Sequence, residues 1–291
     1  MREPISPLLL AMHHTLKVME LQLTQEYTGQ QIDLYAMQGM WGEVLADLPR
    51  GALRGLAAVA NTGVDRFWTG HPFAQLNLFA YGLTAWQPMS AFETVTRLWV
   101  QMTYSLKNAQ LEKLTDLLLL SRDVYEKYTA SLGLCWMVNP GHHYGPNPMG
   151  YEYSPWGTYH RADRDAVGVD RTETGTGFLA QYPPALGTRY RDPATCPEKL
   201  LLFFHRLSYR YRMRDGRTLI QRMYDDHYEG AEEAALMAGK IRQLRDALPQ
   251  EIYDEVSVRM ERQTENAREW RDVICDFFHR LSGIADEKNR L

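Results

Sequence analysis

Cysteine is scarce in this chain. Cys135, Cys196 and Cys275 are the three in 291 residues, far apart and odd in number. Their spacing implies no disulfide framework and fits a reducing compartment. Long apolar runs are missing too: no stretch reaches the roughly 18 residues a bilayer-spanning helix needs. The opening MREPISPLLLAMHH has only a short apolar run, broken by Glu3 and prolines, and does not read as a signal peptide. Positive charge is not in surplus either. Lys and Arg number 32 against 36 Asp and Glu, a net charge of −4 that offers no basic field for nucleic acid or acidic membranes. Together these absences predict a cytoplasmic protein with no membrane and no nucleic-acid partner. Several catalytic signatures are also absent. There is no G-x-S-x-G and no C-x-x-C, and the nearest glycine-rich register, Gly175–Gly177–Ala180, ends in alanine and follows no predicted strand.

What is present is an ordinary globular composition, 45% hydrophobic and 23% charged, with 17 Tyr and 7 Trp. It is enough for one large or two smaller cores. Residues 1–88 alternate strand and helix patterns. In KVMELQLTQEY (17–27), Met19, Leu21 and Leu23 share one side of a period-2 pattern, and Glu20, Gln22, Thr24 and Glu26 share the other. IDLYAMQGMWGEVLADL (32–48) predicts a helix. GLAAVANTG (55–63) predicts a buried strand, and HPFAQLNLFAYGLTAW (71–86) a second helix with Pro72 in its first turn. This alternation is the signature of a parallel α/β sheet, but two strands are too few to complete one.

From Pro88 onward the pattern predicts helices and no strand. SAFETVTRLWVQMTY opens with a capping box of Ser90 and Glu93. Helices are predicted over 108–128 and 197–207. Thr218 then caps a long one whose seam runs Ile220, Met223, His227, Gly230, Ala234, Met237, Ile241, Leu244, Leu248. The last helix repeats the step in Val256, Met260, Gln263, Ala267, Trp270, Ile274, Phe277 and Leu281, and ends at Gly283. At 1.5 Å per residue it is about 50 Å long. The two seams read as an antiparallel helical hairpin, packed as core or in part as a dimer face.

Two places could carry chemistry. At the C-terminal end of a barrel strand a carboxylate faces the active site, which makes Glu26 a candidate general base or nucleophile; the plainer reading is a surface glutamate in a loop. The stretch NPGHHYGPNPMGYEYSPWGTYHRADRD (139–165) concentrates histidine, tyrosine, proline and glycine between predicted helices. A metal site, a sugar-binding loop and a packed connector are its three readings. His142 and His143 are adjacent rather than a helical turn apart, and with His160 and Asp163 they match no zinc spacing. Neither a metal nor a cofactor is expected. Trp156 could cover the C–H face of a pyranose while neighbouring His and Tyr side chains bond its hydroxyls.

ELQLTQEYTGQ, VANTGVDRFWTGHPFAQLNLFAYGLTAW, GLCWMVNPGHHYGPN, GYEYSPWGTYHRADRDAVGVDRT and TCPEKLLLFFHRL bring a family into view. The chain resembles the C-terminal part of the α-glucuronidases of glycoside hydrolase family 67, over essentially its whole length. The resemblance implies an α/β fragment, the last βα units of a (β/α)8 TIM barrel, over 1–88. An all-helical domain that supports homodimers follows over 89–291. Lys17–Glu26 would be the seventh barrel strand and Gly55–Gly63 the eighth. Such enzymes are metal-independent and remove D-glucuronic acid, or its 4-O-methyl ether, α-1,2-linked to the terminal xylose of xylooligosaccharides, with inversion. The glutamate of the family's Q-E-Y motif falls on Glu26, one of two carboxylates on the general-base side. The tryptophan of W-G-T-Y-H falls on Trp156, which walls the uronic-acid pocket. Trp68, in the RFWTGHPF motif, and His143 are the further substrate-binding candidates.

The chain also departs from the family's pattern. The family's general acid lies on an earlier barrel strand and has no match here. The second base-side carboxylate belongs to a K-N-G-P-x-D motif immediately upstream of the R-E-P that stands here at Arg2–Pro4. The PRGALRG connection, between Leu48 and Leu56, is shorter than the family's. The expectation is that these 291 residues alone are inactive, that 1–88 is the unstable part, and that the helical domain folds. The alternative is a non-catalytic helical dimerisation or carbohydrate-binding module.

Overall fold

The structure is a computed structural model that describes residues 7, 10, 17–23, 32–48, 53–60, 66–67, 70–141, 143–150 and 160–291. The described residues are mostly helical. They fall into two compact units: one of His13–Tyr125 and Ala231–Ala267, the other of Met1–Met12, Glu126–Gly230 and Arg268–Leu291.

The first unit begins with two strands, β1 (Lys17–Gln22) and β2 (Leu53–Val59), joined through helix α1 (Gln38–Ala46). They pair in parallel from Lys17↔Leu53 to Gln22↔Val59, with a register shift between Lys17 and Val18. The Leu23 N–H continues the ladder to the Val59 carbonyl (2.7 Å). Met19, Leu21 and Leu23 are buried and Val18 and Glu20 exposed, as the alternation predicts. A 3₁₀ turn, Pro72–Ala74, leads into α2 (Gln75–Trp86), and Tyr81 Oη donates to the Leu56 carbonyl at 3.0 Å, holding α2 to β2.

Strand β2 is not the buried strand expected: Arg54, Ala57 and Val59 are exposed and Gly55, Leu56 and Ala58 half-buried. Two further local expectations are corrected here. Residues 32–37 are not helical, although their pattern fits a helix; helix α1 starts only at Gln38. Leu34, Tyr35, Ala36 and Met37 are all buried, and distant side chains supply their hydrogen bonds. Leu34 N–H donates to Gln263 Oε1 (3.1 Å), Ala36 N–H to Ser121 Oγ (3.1 Å) and Met37 N–H to Asn77 Oδ1 (2.8 Å); Asn77 Nδ2 donates to the Tyr35 carbonyl (3.0 Å). With partners so placed, the segment does not need helical ones. The second correction concerns Ser90 and Glu93. Helix α3 (Phe92–Thr103) has Ala91 at its N-cap and no side-chain cap, because the Ser90 hydroxyl donates instead to Gln87 Oε1 at 3.4 Å.

Helix α4 (Asn108–Ala130) follows, and Arg97 on α3 grips Glu112 on α4 through both carboxylate oxygens. Phe73, Trp99 and Tyr104 meet edge to face at centroid distances of 5.7–6.4 Å. Beside them, burial lowers the pKa of His71 to about 3, helped by the charge of Arg259, so its ring stays neutral. The unit also holds Ala234, Met237, Ile241, Leu244 and Leu248, all buried, from the end of α7 (Leu219–Arg242) and the turns after it. The start of α8 (Gln250–Ser282) returns antiparallel, with Thr264 Oγ1 3.4 Å from the Ala234 carbonyl. Gln263, the odd polar residue in that seam, is the one that accepts from Leu34.

The second unit contains two strands the pattern did not predict, β3 (Ala166–Val167) and β4 (Leu207–Ser208), paired antiparallel. Each has two residues, too few for periodicity to register. Between them lie α5 (Pro184–Arg191) and the single turn α6 (Leu201–Phe204). Tyr190 stacks on Phe204 (4.6 Å, 15°), with Tyr182 edge-on to both. Thr218 caps α7 as expected, accepting from Gln221 N–H at 3.3 Å. At Gly230 a Cβ would stand 2.8 Å from the backbone nitrogen of Tyr128, so only glycine lets the helices approach this closely. The tail after α8 is tied down by ions. Asp225 and Asp286, both buried, receive Arg290 Nη2 at 2.7 and 2.8 Å, and Asp225 also receives Arg217 and Lys288, each at 2.8 Å.

Candidate functional site

The site is built from the loop that follows α4, all within the second unit. Two asparagines organise its first half. Asn139 Nδ2 donates to the Tyr144 carbonyl (2.8 Å), and Asn147 Nδ2 donates to Asn139 Oδ1 (3.0 Å). Asn147 Oδ1 in turn accepts from Met149 N–H at 3.1 Å, and Asn147 N–H reaches the Met137 carbonyl at 2.7 Å. These bonds replace a helix or strand ladder for a segment too rich in proline and glycine to form one. At Gly150 a Cβ would lie 2.7 Å from the Val138 carbonyl, so the loop folds onto itself where no side chain fits.

His143 sits at the tip of this arrangement. Its N–H donates to the Asn139 carbonyl (3.0 Å), and its ring meets Trp136 edge-on at 5.2 Å. Both residues have positive φ, 53° and 62°; Leu132 at 57° and Arg161 at 44° lie in the same stretch of chain. Left-handed backbone at non-glycine residues costs of order 1 kcal/mol or more each and gathers where structure serves function.

The far end of the loop is fixed by His160. Its Nδ1 accepts from Ala162 N–H (3.0 Å), which leaves Nε2 to carry the proton and donate to the Pro148 carbonyl (2.5 Å). The ring is buried against Phe277 and Phe278. Burial lowers its pKa, only partly offset by the bond to Pro148, so the ring is neutral and both nitrogens are engaged. Asp163 then shapes a turn, accepting from Asp165 N–H (2.9 Å), Ala166 N–H (3.0 Å) and Arg206 (2.5 Å); these bonds hold its carboxyl below the usual range. His160 and Asp163 are thus spent on loop structure rather than on a ligand set.

Between the loop and α8 lies an open groove of about 490 Å³, lined by Pro146–Met149 and by Val273, Asp276, Phe277, Arg280 and Leu281. Its floor is apolar, with the Asp276–Arg280 pair at 2.8 Å along one side.

Of the residues the sequence singles out, His143 is placed in this loop. Glu26, Trp68 and Trp156 lie outside the described residues, so the structure does not bring the four together. Asn139 and Asn147 escaped the sequence reading. Their signal is the N-P-G-H-H-Y-G-P-N run itself, with an Asx-turn residue at each end. No group of three or more His, Cys, Asp or Glu residues able to hold a metal occurs among the described residues, and no helix among them is long and apolar enough to cross a membrane.

Residues 69–291 match the family model described as Glycosyl hydrolase family 67 C-terminus, and residues 1–51 that described as Glycosyl hydrolase family 67 middle domain. Probable alpha-glucuronidase A of Aspergillus oryzae is 38% identical over 310 residues, which cover 100% of this chain and 37% of that protein. The same values hold for Probable alpha-glucuronidase A of Aspergillus clavatus. Alpha-glucuronidase A of Emericella nidulans is 37% identical over 311 residues with the same coverage. The chain thus spans 37% of the length of these relatives.

Proposed function

Because the chain belongs to glycosyl hydrolase family 67, we propose that it is the C-terminal portion of an inverting α-glucuronidase acting on xylan fragments. The bond cut is the α-1,2 linkage from D-glucuronic acid, or its 4-O-methyl ether, to xylose in aldouronic acids. The observation that carries this reading is the alignment of the whole chain with relatives named alpha-glucuronidase A. On this reading residues 1–88 are the last βα units of a (β/α)8 barrel, which the parallel β1–α1–β2 unit supports. Residues 89–291 are the helical domain, through which two copies pair in the cytoplasm.

An inverting glycosidase needs two carboxyl groups about 6.5–9.5 Å apart. One protonates the departing glycosidic oxygen. The other takes a proton from the water that attacks the anomeric carbon from the opposite face. Glu26 belongs to the second group and orients that water. Trp156 lies against the apolar face of the uronic acid, and Trp68 and His143 complete the substrate contacts. The anchored ends of the loop, Asn147–Gly150 and His160, support the role of Trp156, which lies between them. No residue of this chain takes the role of the acid.

The test uses the purified 291-residue polypeptide with aldotetraouronic acid. The expected outcome is binding that Trp156→Ala removes, with no glucuronic acid released. Release of glucuronic acid would overturn the assignment of the acid to another part of the enzyme. Binding indifferent to Trp156→Ala would favour a carbohydrate-binding module with a different surface.

A further inference from the structure

Among the described residues four histidines are buried: His71, His160, His205 and His227. Two of them accept a backbone N–H from two residues further along. His71 Nδ1 accepts from Phe73 N–H at 3.1 Å and caps the 3₁₀ turn Pro72–Ala74. His160 Nδ1 accepts from Ala162 N–H at 3.0 Å. His205 and His227 instead donate, to the Tyr190 carbonyl at 2.8 Å and the Met223 carbonyl at 2.7 Å. The difference matters because a ring nitrogen accepts only while it is unprotonated. A proton on the accepting nitrogen sets N–H against N–H and breaks the turn.

At His160 the other nitrogen is committed as well. Nε2 donates to the Pro148 carbonyl (2.5 Å), so one ring joins the turn at 146–150 to the turn at 160–163. Phe277 and Phe278 of α8 meet that ring edge-on at 5.7 and 6.2 Å and offer it no polar atom. A second ring proton therefore has no acceptor, and a cation here is buried without compensation.

The charges of the surrounding elements do not supply that compensation. In the histidine's own turn Arg161 and Arg164 are cations, Asp165 is exposed, and Asp163 is bonded by Arg206 from β4, where Arg210 adds a further cation. On α8, Asp276 is bonded by Arg280, His279 carries no negative charge, and burial pushes the Cys275 thiol up to about 12. Tyr209, which donates to the Asp163 carbonyl, is likewise kept protonated by burial. The 146–150 turn, PNPMG, has no charge. Burial lowers the pKa of His160 from the ordinary 6.5, against the opposing pull of the Pro148 carbonyl. For His71, burial and the charge of Arg259 act together and take the ring to about 3. His160 is thus the first of the two accepting rings to meet a proton as the solution is acidified.

We propose that His160 is a proton-operated clasp: uptake of one proton from water at Nδ1 drives the ring out of its contact with Phe277 and Phe278, breaking the bonds to Ala162 and Pro148 together while the helices of the unit stay folded. The closed form excludes the proton and the open form binds it. The clasp is therefore fully present above the unfolded pKa of 6.5 and weakens as pH falls from there towards the folded pKa. Within that window the opening equilibrium rises about ten-fold per pH unit. Pro148 and Phe277 also line the groove between the loop and α8, so the groove keeps its shape only while His160 is neutral. The clasp does not depend on the function proposed above.

The experiment is hydrogen exchange of the 291-residue polypeptide between about pH 7.5 and 5, with protection expressed relative to an unstructured chain at each pH. Peptides covering 143–150 and 160–168 are expected to lose protection about ten-fold per pH unit below 6.5, while those covering 70–76 and 256–270 keep theirs. His160→Asn retains a neutral acceptor for the Ala162 N–H and cannot take up a proton, so its profile is expected to be flat. A flat wild-type profile, a variant that still loses protection in acid, or loss across both units at once would each overturn the proposal. The wild-type ring gives a reading that needs no variant. With carbon-13 in the histidine rings, a neutral His160 signal is expected to give way to a separate cationic one in step with the loss of protection. A cationic signal with the Ala162 N–H still protected would show that the clasp does not open.

Discussion

In the unit built from residues 13–125 and 231–267, a buried irregular segment is held by neutral amides and a hydroxyl, whereas in the other unit a mostly exposed tail is held by ions around two buried carboxylates. Gln263, Asn77 and Ser121 satisfy the backbone of residues 34–37 one bond at a time. Asp225 and Asp286 collect Arg217, Lys288 and Arg290 into one network. Both solutions bury polar atoms without leaving them unpaired, but they respond differently to solution conditions. A neutral donor–acceptor pair does not titrate between pH 2 and 7, while a buried carboxylate among cations does. Asp225 shows the balance. Burial alone pushes its pKa up, yet hydrogen bonds from Lys288, Arg217, Arg290 and Gln221 outweigh it and hold the group at about 2, against an ordinary 3.8. Asp286 is held low by the same competition, with Arg290 and Gln221 against burial.

The largest expected effect is at the ionic end. Asp225→Ala strands three cations in a partly buried site and is expected to cost about 3 kcal/mol, read from the denaturant midpoint. Because the folded pKa is lower than the unfolded one, the ionised form is favoured by folding. The stabilisation is therefore fully present above about pH 4 and is lost as pH falls through about 2. Hydrogen exchange over residues 284–291 is expected to speed up in that window, and a flat profile would show that the network does not hold the tail. Asn77→Leu comes next. It orphans the Met37 N–H and the Tyr35 carbonyl and is expected to cost about 2–3 kcal/mol at every pH between 3 and 7. A steep pH dependence of that loss would erase the contrast between the two units. The smallest effect is Arg280→Ala. It breaks an exposed pair with Asp276 and should move stability by less than about 0.5 kcal/mol.

Much of the helical architecture was legible in sequence because its cause is local. The seams of α7 and α8 put Ile220, Met223, Ala234, Ile241, Val256, Met260 and Ile274 in the core at steps of three and four. The alternation in β1 likewise placed Met19, Leu21 and Leu23 inside. What was not legible depends on distant partners. Residues 32–37 carry a helix-like pattern, and Asn77, Ser121 and Gln263, all distant along the chain, decide that they stay irregular. The tail ADEKNRL looks like a solvated charged end until Asp225 is placed beside it. At the candidate site, the composition of 139–165 marked the loop and its family resemblance. The roles of Asn139, Asn147 and His160 needed coordinates, because an asparagine or histidine that folds a loop and one that binds a sugar are the same residue in a sequence.

His160 has a thermodynamic consequence for the segment it closes. Its bond to the Pro148 carbonyl fixes both ends of the stretch 149–159, which contains Trp156. Bringing together the ends of a chain of that length costs about 2 kcal/mol in configurational freedom. That cost is met when the protein folds, before any ligand arrives.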